Sequence, residues 1–161
     1  MNQPMLPNHI QTLLAGSGEG QKVVLVTGVF DLLHDEHRLF LQKAKAAGDI
    51  LIVALESDVR VRQLKGAGRP VWDEEKRRQE IAALAFVDGV FVLPEEFSRP
   101  DHHEQLISEV RPAILAVSSH SPHLHKKQLI LEKYHGKVVV VHQHNPNIST
   151  TLTLNQSLTS R

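Results

Sequence analysis

The stretch Val23-Val24-Leu25-Val26-Thr27-Gly28-Val29-Phe30-Asp31-Leu32-Leu33-His34-Asp35-Glu36-His37 decides how the rest of the chain reads. An apolar, β-branched run leads into a glycine and then opens an amphipathic stretch over residues 38–47. Strand, glycine turn and helix in that order aim backbone N–H groups and a positive helix end at an anion. Gly28 allows unusual dihedrals at the strand exit and close backbone approach to a phosphate; a purely structural strand-end glycine is the alternative. Asp31 either caps the following turn or holds a histidine tautomer. His34 and His37, three apart on a first helical turn, can present both rings on one side. Alone, His-x-x-His also reads as part of a zinc site or as two surface histidines. Its place directly after strand, glycine and Phe30-Asp31 points it toward phosphate.

Outward from this segment, short apolar runs alternate with amphipathic stretches. Strands are expected over 23–26, 50–55, 89–93, 113–117 and 137–142, with helices over 36–47, 73–86, 102–110 and 123–135. This alternation predicts a parallel sheet covered by helices on both faces. Ile50-Leu51-Ile52-Val53-Ala54-Leu55 is apolar throughout, as a strand buried on both sides requires. Asn8 is a candidate cap for a short helix ending near Leu14, and residues 15–20 read as a glycine-rich connector. The expected division is an N-terminal helix and connector over 1–21, one domain over 22–155, and a polar tail over 156–161.

Composition narrows the class. The 161 residues suffice for about one domain with a respectable core. Lys+Arg and Asp+Glu both number 18, so there is no net charge to draw the chain to nucleic acid or an anionic membrane. No basic stripe interleaved with aromatics appears, which also speaks against nucleic acid. Cysteine is absent, which excludes disulfides and Cys-based zinc sites and is compatible with a reducing cytoplasm. No apolar run approaches the roughly 20 residues of a membrane span and no leader is read, so a cytoplasmic location is expected. The 11 histidines are the oddity. His120, His123, His125, His142 and His144 raise a metal reading, with ordinary polar histidines as the larger expectation.

The pattern Gly-x-Phe-Asp-x-x-His-x-Gly-His is the hallmark of the cytidylyltransferase-like nucleotidyltransferases, and residues 28–37 resemble it closely. Ala47-Gly48-Asp49 and Glu56-Ser57-Asp58 resemble the flanks of that family's second strand. Leu64-Lys65-Gly66-Ala67-Gly68-Arg69-Pro70-Val71 resembles the Lys-Gly-x-x-Arg-Pro loop of the heptose-phosphate adenylyltransferases. Glu75-Lys76-Arg77 looks like the helix that carries a phosphate-contacting arginine, and Ile148-Ser149-Thr150-Thr151 resembles the Ser-Thr-Thr motif beside the triphosphate. Read singly, Lys65, Arg69 and Arg77 are also plain solvated charges, and Ser149 to Thr151 a plain helix cap. Three departures stand out: Glu36 in place of the motif glycine, Ser118-Ser119-His120 in place of a Gly-Gly-Asp turn, and His144 where glycerol-phosphate cytidylyltransferases have arginine. Helical phase turns Glu36 away from the His34 and His37 face, although a carboxylate there could also help hold a divalent cation.

The resemblance implies a doubly wound, Rossmann-like α/β domain with about five parallel strands and its ligand across their carboxyl ends, at a topological switch point. It implies transfer of a nucleoside monophosphate from ATP first, CTP second, to a phosphorylated small molecule such as a sugar phosphate, with pyrophosphate released. His34, His37, Lys65 and Arg77 are the implied catalytic residues. Thr27, Gly28, Val29, Phe30, Asp31, Ser118, Ser119, His120, Ile148, Ser149, Thr150 and Thr151 would bind nucleotide. Asp58 and Arg69 would bind the acceptor. Mg2+ would arrive on the nucleotide phosphates, its protein ligand unassigned, and a homodimer is implied. Two alternatives are a catalytically impaired nucleotide sensor, suggested by Glu36 and Ser118-Ser119-His120, and a flavin- or pantetheine-type adenylyltransferase.

Overall fold

The computed structural model describes residues 3–143. Five strands, β1 (Val23–Gly28), β2 (Ile50–Leu55), β3 (Gly89–Val92), β4 (Ile114–Ser118) and β5 (Lys137–His142), form one sheet in the order β3-β2-β1-β4-β5. Every pairing is parallel, with β1 and β2 in register from Val23 opposite Ile50 to Gly28 opposite Leu55. Period-2 alternation of these strands supplies two separate cores. Val24, Val26, Leu51, Val53 and Leu55 pack with Leu41, Ala44 and Ile81 of helices α2 (Asp35–Ala46) and α4 (Glu74–Ala82). Leu25, Ile52 and Ala54 face the opposite layer, where Ile10, Leu106, Ile107 and Leu131 enter from α1 (Asn8–Ala15), α5 (Pro100–Val110) and α6 (Leu124–Lys133). The doubly wound architecture expected from the sequence is therefore the one observed. Among the described residues, no helix is long and apolar enough to cross a membrane.

The strand expectations are met closely, with 50–55 and 137–142 matching to the residue. The helices are less faithful. The segment over 73–86 closes at Ala82 because Leu84 and Val87 leave the helix in tight turns, donating to Ile81 O and Leu84 O. Helix α3 (Asp58–Lys65) lies between β2 and the 65–71 loop, where the sequence reading expects no helix. Ser57 accepts from Arg60 N at 3.1 Å to cap its start, and Gly66 ends it at φ 92°. The first helix begins after Pro7, so Asn8 is its first residue and not its cap.

The close fit at Ala47-Gly48-Asp49 explains that motif. A Cβ on Gly48 would lie 2.6 Å from Val24 Cγ2 and 2.9 Å from Lys22 O, so only glycine lets the α2–β2 turn press on β1. Asp49 Oδ2 then accepts from Lys22 N at 2.7 Å, fixing the start of both central strands. Sequence order runs outward from β1 through β2 to β3, and on the other side from β4 to β5. The reversal between β1 and β4 leaves a crevice at their carboxyl ends, the place where such sheets bind ligands.

Candidate functional site

A cavity of about 510 Å³ opens in that crevice. Thr27, Gly28, Val29, Phe30 and Asp31 from the end of β1, His34 and His37 from the head of α2, Lys65 and Arg69 from the 65–71 loop, and Ser118 and His120 from the end of β4 all line it. The 29–33 turn follows a backbone path set by two left-handed residues, Phe30 (φ 54°) and Leu32 (φ 51°). Gly28 permits it, because a Cβ there would sit 2.8 Å from the Phe30 ring. That ring in turn meets the His37 ring edge-on at 5.3 Å.

His34 and His37 are locked to each other. His34 is the N-cap of α2, in extended backbone, and His37 is the third helical residue. His37 N donates to His34 Nδ1, and His34 N donates to His37 Nδ1, both at 3.3 Å. The rings stack at 3.6 Å with planes 15° apart. Each Nδ1 accepts a backbone N–H, so each neutral ring carries its proton on Nε2. Among the described residues, the buried His34 Nε2 has no hydrogen-bond partner. A buried, unmatched donor at a positive helix end calls for an anionic oxygen.

Burial favours the neutral form of both rings. Burial, followed by the charges of His34, Arg38 and Lys65, pulls His37 from 6.5 down to about 3. Burial also lowers His34, with Glu36 pulling the other way. A base whose folded pKa lies below its unfolded value stabilises the fold fully above pH 6.5, and that contribution is lost as pH falls toward 3. Urea-unfolding free energy is expected to drop across this window, and to drop less in His37→Asn. An identical slope in the variant would place the titration on other groups.

Asp31 and Arg77 tie together the loops around the cavity. Asp31 is 1% exposed; it accepts from Val71 N at 2.7 Å and Trp72 N at 2.9 Å, and its carboxylate lies 3.5 Å from Arg69 Nε. It therefore ties the 65–71 loop to the cavity and sets Arg69 at its wall. Arg77 is 0% exposed and does not line the cavity. Its Nη1 donates to Val29 O (3.0 Å) and Glu56 O (2.8 Å), its Nε to Trp72 O (3.1 Å), and its Nη2 to Asp58 Oδ1 (2.8 Å). The expected triphosphate contact is corrected accordingly: this guanidinium holds the site's loops from beneath. Asp58, expected at the acceptor, is its ion partner and is likewise absent from the cavity wall. Ser119 is exposed beside the cavity, its N–H donating to His142 O at 2.9 Å. Ile148, Ser149, Thr150, Thr151 and His144 lie outside the described residues.

Glu36 is also corrected. It lines the cavity, with Oε2 3.4 Å from His142 Nε2 at the end of β5. Helical phase misleads here because His34 stands outside the helix as its cap, so the 100° progression starts only at Asp35. Glu56, Ser121 and Lys127 are cavity residues not singled out as site residues from sequence, and His142, read there only among possible metal ligands, joins them. Glu56 and His142 end or follow parallel strands, a positional signal that could have flagged them. Burial raises the Glu56 carboxyl. Among the described residues, no three His, Asp or Glu side chains converge to hold a metal ion.

Residues 25–155 match the family model described as cytidylyltransferase-like. The bifunctional protein HldE of Geobacter metallireducens is 39% identical over 128 residues, 79% of this chain and 25% of that protein. HldE of Helicobacter pylori strain G27 is 50% identical over 95 residues, 59% of this chain and 19% of that protein. The chain thus spans about a quarter or less of the length of these relatives. A crystal structure of the lipopolysaccharide core biosynthesis protein from Thermoplasma volcanium superposes with a TM-score of 0.63 at 27% identity, covering 78% of this chain and 98% of that one. Pantoate-beta-alanine ligase from Francisella tularensis has the same fold, with a TM-score of 0.57 at 16% identity over 94% of this chain and 75% of its own. With the paired histidines at the head of α2 and a family match across most of its length, the chain belongs to the cytidylyltransferase-like family.

Proposed function

We propose that the chain transfers a nucleoside monophosphate from ATP, with CTP second, to the phosphate of a sugar phosphate. The observation that carries this reading is the stacked His34 and His37 pair, presenting Nε2–H donors in a cavity at a helix start. An acceptor phosphate oxygen would attack the α-phosphorus; the bond from that phosphorus to the bridging oxygen breaks, and pyrophosphate leaves with the electron pair. The acceptor is already ionised at neutral pH, so the chain need supply only positioning and charge stabilisation. Neutral imidazoles suit that task, donating to oxygens as negative charge shifts onto them. Lys65 and Arg69 line the flank formed by the 65–71 loop, and their charge would neutralise substrate phosphates there. That loop's resemblance to sugar-phosphate adenylyltransferases is what favours ATP and a sugar phosphate.

A magnesium ion carried by the nucleotide fits the donor set. Such an ion takes most of its ligands from phosphates and water and needs only one or two carboxylates. Glu36 is a carboxylate on the cavity wall and would be the residue to hold it, the ion supplying charge neutralisation when bound. A homodimer is part of the same proposal, tested by sedimentation equilibrium of the full chain.

The direct test is pyrophosphate release with each of the four NTPs against sugar phosphates, glycerol phosphate and FMN. Release with ATP and a sugar phosphate is expected. Nucleotide binding by calorimetry with no turnover for any pair would instead favour a sensor, the reading that Glu36 inside the cavity supports.

A further inference from the structure

The β4–α6 corner of the cavity holds a lysine that the paired histidines do not use. Lys127, on α6, lines the same cavity as Ser118 and Ser121 and is half-buried. Its Nζ donates to Ser121 Oγ at 2.9 Å, a neutral partner. Burial pulls it below the ordinary lysine range, and no carboxylate offsets this among the described residues. Residues 144–161 contain no Asp or Glu that could do so. The neighbouring imidazole of His103 feels only more positive charge: it is pushed down first by burial, then by Lys127, Arg60, His102 and His123.

An ammonium taken partly out of water with a neutral hydroxyl as its partner is costly, and an anion relieves that cost. The cavity shared with His34 and His37 is where such an anion would enter. We propose that Lys127, with the Ser121 and Ser118 hydroxyls, is a second phosphate subsite, filled by the departing pyrophosphate portion of the nucleotide. This rests on the nucleotidyl-transfer reading and adds to it a cation from α6. The hydroxyls can both orient the ammonium and donate to phosphate oxygens.

The test is calorimetric titration of the full chain and of Lys127→Met with inorganic pyrophosphate, and separately with glucose 1-phosphate, at low ionic strength. Pyrophosphate affinity is expected to fall roughly tenfold or more, as for loss of a charge-assisted contact, with glucose 1-phosphate affinity unchanged. The thermal midpoint should hold or rise, because methionine removes an uncompensated, half-buried charge. Loss confined to glucose 1-phosphate would support the phosphate subsite but move its source to the acceptor. Unchanged affinity for both would overturn the subsite, and a fallen midpoint with unchanged anion binding would mark a structural lysine. Should Lys127→Met not fold, amine acetylation of the wild-type chain read by mass spectrometry decides: pyrophosphate should slow modification of Lys127 severalfold, and no protection overturns the proposal. Wild-type turnover separates the two ideas. Turnover together with Lys127-independent pyrophosphate binding removes only the subsite; Lys127-dependent binding without turnover removes only the transfer reading.

Discussion

Replacing His37 by alanine is expected to lower kcat by about 10²- to 10³-fold, the usual cost of losing one well-placed donor to a charge-developing oxygen. Nucleotide Kd should change far less, because the contact strengthens as charge builds on the reacting phosphates. The alanine also removes the acceptor that His34 N uses, so the variant loosens the partner ring. His37→Asn separates the two effects: its amide oxygen can still accept from His34 N–H, but it cannot reach as far as Nε2. If asparagine recovers most of the turnover, the ring serves as a cap; if it stays as slow as alanine, the Nε2–H is the working group. A matching loss of kcat and affinity in His37→Ala would remove its transition-state role. Steady-state kinetics with calorimetric Kd values distinguishes these outcomes.

Arg77→Met is expected to destabilise the fold by about 3–5 kcal/mol, the range for removing one partner of a buried ion pair. The variant strands Asp58 and leaves the carbonyls of Val29, Glu56 and Trp72 without this donor. Against a typical domain stability of about 5–15 kcal/mol, that is enough to depopulate the native state at modest denaturant. Urea unfolding followed by circular dichroism measures it. Arg77→Lys should recover only part of the loss, since a single ammonium cannot replace a planar fork that spans four partners. Wild-type stability combined with lost triphosphate binding would instead return Arg77 to the phosphate contact that its sequence motif suggests.

The two residues show what local sequence could and could not convey. His34 and His37 belong to one contiguous strand-glycine-helix segment, so chain geometry alone brings them to one cavity. Arg77 sits on a helix rich in charge, and nothing in residues 73–82 tells it apart from Arg78, which is half-buried and pairs with Glu75 at the surface. Its burial depends on Val29, Glu56 and Asp58 arriving from two other elements. Helix α3 was hidden for a related reason: seven polar or charged residues in and around it mask the periodicity, and only Ser57 and Gly66 mark its ends.

By itself, the sequence determined the five strands, their parallel pairing and the placing of the glycine turn and paired histidines at the end of β1. Those features follow from apolar runs, period-2 alternation and one glycine turn, all encoded by near neighbours. Only the tertiary structure decided the direction of Glu36, the burial of Arg77, and the arrival of Glu56, Lys127 and His142 at one cavity. The fate of a charge is set by desolvation and by partners far along the chain, and the fold brings those together only at the carboxyl ends of its strands.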